Sequence, residues 1–131
     1  MASPMKPATK ALLSSAFVAG FMGEAMLFDG ECVADGSVKV GPLSFFPRNK
    51  VAAGPVKAAI RPEAWRIAAR TQEPLGGPLV KQAYLGSFQE LTIDTALGPV
   101  FVVTPQVERQ WVLGEELGLT LGEHGVTVVA A

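Results

Sequence analysis

Cys32 and His124 are the only cysteine and the only histidine in the chain. Nucleophilic acyl transfer needs a base held beside a Ser or Cys, and His124 is the single imidazole available for it. It lies in Gly122-Glu-His-Gly125, a turn-forming stretch, and no G-x-S-x-G elbow occurs anywhere. An exposed turn residue is the expectation for His124. One thiol and one imidazole also fall short of a tetrahedral zinc site or an internal disulfide. Cys32 alternates with apolar positions and reads as a small buried hydrophobe. Gly36-Ser-Val-Lys-Val-Gly41 has the glycine spacing of a phosphate loop, but Pro42 stands where Lys and a hydroxyl residue are required. Glu115 and Glu116 are adjacent, so a strand would send them to opposite faces rather than pair them for acid-base work.

Binding chemistry is better represented. Arg61, Arg66, Arg70 and Lys81 carry groups that suit oxyanions, and Arg61 and Lys81 are the candidate contacts for one such as molybdate or sulfate. Proximity in sequence does not show convergence in space, so ordinary surface charge is the preferred reading. Trp65 and Trp111 could stack on bases in an oligonucleotide-binding barrel, or serve as core or interface aromatics. Eleven Lys plus Arg against 12 Asp plus Glu give a net charge of −1, so no basic field exists to hold phosphates, and nucleic acid is not expected as a partner. No cofactor motif and no metal-ligand set stand out.

Any such site must be carried by strands. Fourteen Gly and 10 Pro among 131 residues favour short strands and turns over long helices. The 49% hydrophobic content supports a real core. Mean hydropathy is +0.32, yet the longest charge-free runs, residues 11–23 and 95–107, are 13 residues each. A spanning helix needs ~20, so membrane insertion is not expected. The scarcity of cysteine fits a reducing compartment.

Residues 6–22 have the outline of a signal peptide, but the apolar stretch continues past Gly23 and Glu24 without a clean cleavage site. The preferred reading is an amphipathic helix over 9–22, with Leu13, Phe17 and Phe21 at four-residue spacing. From Ala25 the period becomes two, putting Met26, Phe28, Gly30 and Cys32 on one face. Asp35-Gly36 predicts a hairpin turn returning through 37–40. Further strands are expected near 56–60, 79–84, 88–95, 100–104, 117–121 and 126–129, with a short helical turn after Pro62. Residues 71–78, carrying Pro74, Gly76, Gly77 and Pro78, read as the strongest loop. Eight or nine short strands describe a small all-β barrel or sandwich.

Four segments in fixed order carry a resemblance: Phe17-Val-Ala-Gly-Phe-Met-Gly-Glu24, Ile60-Arg-Pro-Glu63, Tyr84-Leu-Gly-Ser87 and Gly114-Glu-Glu-Leu-Gly-Leu119. Together they resemble the C-terminal transport-associated OB (TOBE) region of the ATPases that drive ABC importers. The resemblance implies an OB-like barrel over 25–131, preceded by a linker over 1–24 left from the exit of a nucleotide-binding domain. Phe17, Gly23, Glu24, Arg61, Pro62, Glu63, Tyr84, Gly86 and Ser87 are then structural motif residues. It also implies a non-catalytic regulatory domain that pairs with its twin, with a nucleotide-binding domain and a membrane permease as further partners. The location implied is cytoplasmic, peripheral to the bacterial inner membrane. Met26 departs from the family's frequent Asn, so iron(III), polyamine, phosphonate and sulfate all stand open as cargo. A free-standing module that binds a small oxyanion is the alternative.

Overall fold

A computed structural model describes residues 25–70 and 73–131. The helix expected over 9–22, and Phe17, Gly23 and Glu24, lie outside these residues. The period-two stretch forms strand β1, Met26–Cys32, with Met26, Phe28 and Cys32 buried and Asp29 and Glu31 exposed. The expected turn follows, and the chain returns as β2, Val38–Val40, then β3, Leu43–Phe45. Strand β4, Gly54–Ile60, lies between β1 and the last strand, β10, Val126–Ala130, giving a five-stranded antiparallel sheet in the order β10-β4-β1-β2-β3. As an inner strand covered on both faces, β4 ends in the fully buried run Ala58, Ala59 and Ile60.

The first turn is closed electrostatically. The Asp35 carboxylate accepts bonds from Ser37 N at 2.9 Å and Ser37 Oγ at 2.7 Å. These bonds favour the ionised form and hold the Asp35 pKa below the usual aspartate range. Because the folded pKa is the lower one, the contribution to stability is present above the unfolded pKa and lost as pH falls through the folded one. Ser37→Ala removes the hydroxyl donor and keeps the backbone N–H bond, so the Asp35 titration, followed by carboxyl-carbon NMR, is expected to move part of the way upward. An unchanged titration would show that the hydroxyl bond contributes nothing and leave the N–H bond as the cause.

Pro62 lacks a backbone donor and ends the β4 ladder. The chain crosses through a 3-10 turn, Pro62–Ala64, into β5, Trp65–Ala69, as the short helical turn predicted. The second sheet adds β6, Gly76–Tyr84, β7, Gln89–Thr95, β8, Gly98–Thr104, and β9, Glu116–Leu121, in the antiparallel order β5-β9-β6-β7-β8. Its outer strands β5 and β8 approach each other, and β8 packs on the 3-10 turn, so the sheet curls toward closure. The fold is all-β and OB-like.

Two expectations need correction. The described residues contain ten strands rather than eight or nine, because the arms 38–40 and 43–45 are separate strands and β5 is a full partner of β9. The stretch 71–78 is not all loop. Gly76, Gly77 and Pro78 begin β6 and pair with Gly118, Leu117 and Glu116. Turn-forming composition predicted a loop, but missing side chains also permit close approach of neighbouring backbones, and that use prevails here.

One hydrophobic cluster runs through both sheets, from Phe28, Val38 and Ile60 to Trp65, Leu91, Ile93 and Leu119. Phe28 of β1 meets Trp65 of β5 edge-on, with ring centroids 6.0 Å apart and planes at 83°. Such a contact adds ~0.5–1.5 kcal/mol beyond area burial and ties one sheet to the other.

Candidate functional site

None of the four clefts described below holds more than one of the four cations considered for an anion pocket. Arg61 follows β4, where its guanidinium lies 3.8 Å from Glu63. Arg66 donates to the backbone oxygens of Glu63 and Trp65 at 2.8 and 3.2 Å. Arg70 donates to Glu73 O at 2.7 Å and lies 3.8 Å from a Glu116 carboxylate oxygen. Lys81 belongs to β6, in the other sheet from β4, and none of the four clefts described below holds both it and Arg61.

The remaining motif residues shape turns. Pro62 and Glu63 form the 3-10 turn, with Pro62 buried. Tyr84 ends β6, and Gly86 with Ser87 makes the tight connection to β7, where Gly86 takes φ +91°, a conformation that favours glycine. His124 is exposed as expected, with Arg48 Nη1 2.8 Å from its Nδ1. Cys32 is a buried free thiol whose Sγ lies 3.4 Å from Val51 O. Glu115 and Glu116 diverge, the first bonding Val112 N at 3.0 Å and Arg109 at 3.3 Å, the second facing Arg70. Among the described residues no group of three or more His, Cys, Asp or Glu side chains could hold a metal ion.

Concavities gather around the β6–β7 hairpin and the segment joining β8 to β9. One cleft of about 390 Å³ is lined by Gln82, Tyr84, Gln89, Val107, Gln110 and Trp111. On the other side of the hairpin, Val80, Lys81, Ala83, Glu90, Phe101 and Leu113 line one of about 580 Å³. A third, about 590 Å³, opens between Trp65, Arg66 and Ile67 of β5 and Phe88, Val103 and Pro105. The fourth, about 380 Å³, lies by Phe46, Arg48 and Glu123.

Residues that sequence reasoning passed over do the positioning. Gln82 Nε2 donates to Trp111 O at 2.9 Å, and buried Gln89 donates to Gln106 O and Arg109 O, both at 2.8 Å. Arg109 stacks 5.2 Å from the Trp111 ring centre. Nothing in a glutamine's local sequence marks it as an anchor, because its partners lie 17 to 29 residues away. Both tryptophans are 2% exposed, which removes their ring faces from base stacking, and neither indole N–H has an acceptor among the described residues. An unpaired buried donor costs about 1–3 kcal/mol.

Two five-stranded antiparallel sheets over one continuous core, with turn-forming motif residues and clefts rather than a reactive cluster, define a small OB-like β-barrel protein. The chain belongs to the TOBE domain family, whose model matches residues 58–129. It is 30% identical over 123 residues to the Fe(3+) ions import ATP-binding protein FbpC of Rhizobium etli, covering 90% of this chain and 35% of that protein. It is 31% identical over 121 residues to FbpC 1 of Rhizobium meliloti, with 88% and 34% covered. The Brucella abortus FbpC gives 30% over 121 residues, again 88% and 34%. The chain thus spans about a third of the length of these relatives. Among solved structures, the cytoplasmic molybdate-binding protein ModG with molybdate bound superposes with a TM-score of 0.62 at 14% identity, covering 80% of this chain and 95% of ModG. The resemblance carried by the four sequence segments is borne out.

Proposed function

We propose that this chain is the non-catalytic regulatory and dimerisation domain of an ABC importer's ATP-binding subunit, with Fe(3+) as the cargo. The observation that carries this reading is the match to iron-import ATP-binding proteins along about nine-tenths of the chain and about a third of theirs. In it, residues 1–24 are the linker from a nucleotide-binding domain, and the barrel pairs with its twin while those domains open and close. The assembly works in the cytoplasm against a membrane permease. The arrangement favours contact over bond breaking, since the clefts beside the β6–β7 hairpin are lined mostly by amide, aliphatic and aromatic groups, with Lys81 and Glu90 as the charged side chains. Sedimentation of the purified chain should give twice its 13.7 kDa mass at micromolar concentration, with no ATP turnover. A strict monomer, or nucleotide hydrolysis by the chain alone, would remove the reading. Cells without the gene should lose Fe(3+) uptake, and retained iron uptake with loss of another solute would reassign the cargo.

The second reading is a free-standing oxyanion module. It is favoured by the fold shared with ModG and by Arg61 and Lys81. Arg61 follows β4, Lys81 lies in β6, and no described cleft holds both, which weighs against it. Titration calorimetry with molybdate and sulfate is expected to be silent, whereas binding heat abolished in Arg61→Ala or Lys81→Ala would move the conclusion to this reading.

A further inference from the structure

Strand β6 changes character along its length. Over Gly76–Pro78 it pairs with β9, at Leu79 its N donates to Glu115 O and its O accepts from Gly114 N, and from Leu79 to Tyr84 its other side pairs with β7. A register shift between Leu79 and Lys81 marks a bulge, and every residue from Val80 to Tyr84 is exposed. Leu85 N donates to Phe88 O at 2.9 Å, which fixes the alternation of the hairpin ladder. Ala83 and Lys81 are then the hydrogen-bonded partners of Glu90 and Thr92, while the backbone N–H and C=O groups of Gln82 and Tyr84 point away from β7. Among the described residues those groups have no partner. Beside this open edge lie Val80, Tyr84, Leu85, Val112 and Leu113, each 46–69% exposed, which are five of the six exposed large hydrophobics of the described residues.

We infer that this edge is where two copies of the chain join, β6 of one pairing antiparallel with β6 of the other about Gln82. The inference rests on the pairing reading above and names its surface. The occupant follows from charge. Pairing about Gln82 sets Lys81 opposite Ala83 of the second copy, and Ala83 lies beside Glu90 in the β6–β7 register. Lys81 and the second copy's Glu90 are then two strand spacings apart, about 10 Å, across a single methyl side chain, within reach of two long side chains. Neither residue has an ion-pair partner among the described residues. Two-fold symmetry makes the contact twice. A lysine on an open edge repels strands that offer it no counter-charge, and a second copy brings Glu90. The union joins two sheets into one and covers the exposed aliphatic groups.

Sedimentation velocity across a concentration series tests this with the chain itself. Lys81→Glu and Glu90→Lys should each weaken dimerisation about tenfold, because each places like charges together at two symmetric contacts, and the double variant should restore it. Lys81 is exposed and Glu90 half-buried, so circular dichroism of each variant is compared with the parent chain before sizing. Gln82→Cys should cross-link to itself under oxidising conditions, since hydrogen-bonded antiparallel partners sit ~5.5 Å apart, within disulfide range, and Cys32 is buried. A dimer indifferent to both charge reversals, or a Gln82→Cys chain that fails to cross-link, overturns this edge and leaves the pairing reading standing. A wild-type chain that stays monomeric removes both.

Discussion

Gly77→Ala is expected to destabilise the fold by at least ~3 kcal/mol, enough to leave a marginal domain largely unfolded. A Cβ on Gly77 would stand 1.9 Å from the carbonyl oxygen of Asp94 and 3.0 Å from its carbonyl carbon. On Gly76 it would meet Leu117 O at 2.2 Å. The obstacles are backbone atoms of β7 and β9, each held in its own ladder, so no flexible side chain can yield. Relief requires β6 to leave β9 or β7, which opens the second sheet at its centre. Gly36→Ala is the control, because its φ of +92° imposes strain but nothing lies within 4 Å of the added methyl. That substitution should cost ~1–2 kcal/mol. Urea unfolding followed by circular dichroism compares the two. A Gly77→Ala midpoint as high as that of Gly36→Ala would refute the close-approach account of this stretch.

Trp65→Ala is expected to cost ~3–5 kcal/mol, the range for removing a fully buried large aromatic side chain. Trp65 is 2% exposed, and its contact with Phe28 joins β5 to β1 across the two sheets. Truncation empties space between layers that cannot easily collapse, since each is fixed by its own hydrogen bonds. Trp65→Phe should cost much less. It keeps most of the ring, and it deletes an indole N–H that has no acceptor among the described residues, recovering part of the ~1–3 kcal/mol that an unpaired buried donor costs. Calorimetric unfolding should rank wild type and Trp65→Phe close together with Trp65→Ala far below. Equal losses in both variants would mean that ring volume is not what the site uses.

Both predictions concern positions that the chain's local pattern described poorly. Gly76 and Gly77 looked like loop residues because glycine and proline cluster in turns, and only the fold shows that they pair with β9 and lie close to neighbouring backbones. A core or interface place is the expectation for Trp65, but only the fold shows that its ring meets Phe28, 37 positions earlier in the sequence. Arg61 and Lys81 were candidate anion contacts by residue type alone, and only the fold shows that Arg61 follows β4 while Lys81 lies in β6 of the second sheet, with no described cleft holding both. By contrast the β1 alternation, the Asp35-Gly36 turn, the break at Pro62 and the buried Cys32 were all legible, because each depends on a few adjacent residues.

The chain's own letters therefore determined its class. Period-two alternation sends side chains to opposite faces wherever the backbone is extended, and turn residues set where it reverses, so an all-β barrel and its family motifs could be read directly. Tertiary structure alone decided which strands became neighbours, such as β4 beside β10, joined by the pairing of Ile60 with Val126. It also decided that β6 is enclosed at one end and open at the other. Strand pairing is a contest among distant segments, settled by how much apolar surface the whole assembly buries and how many backbone groups it satisfies. Neither quantity is a property of any one stretch of sequence.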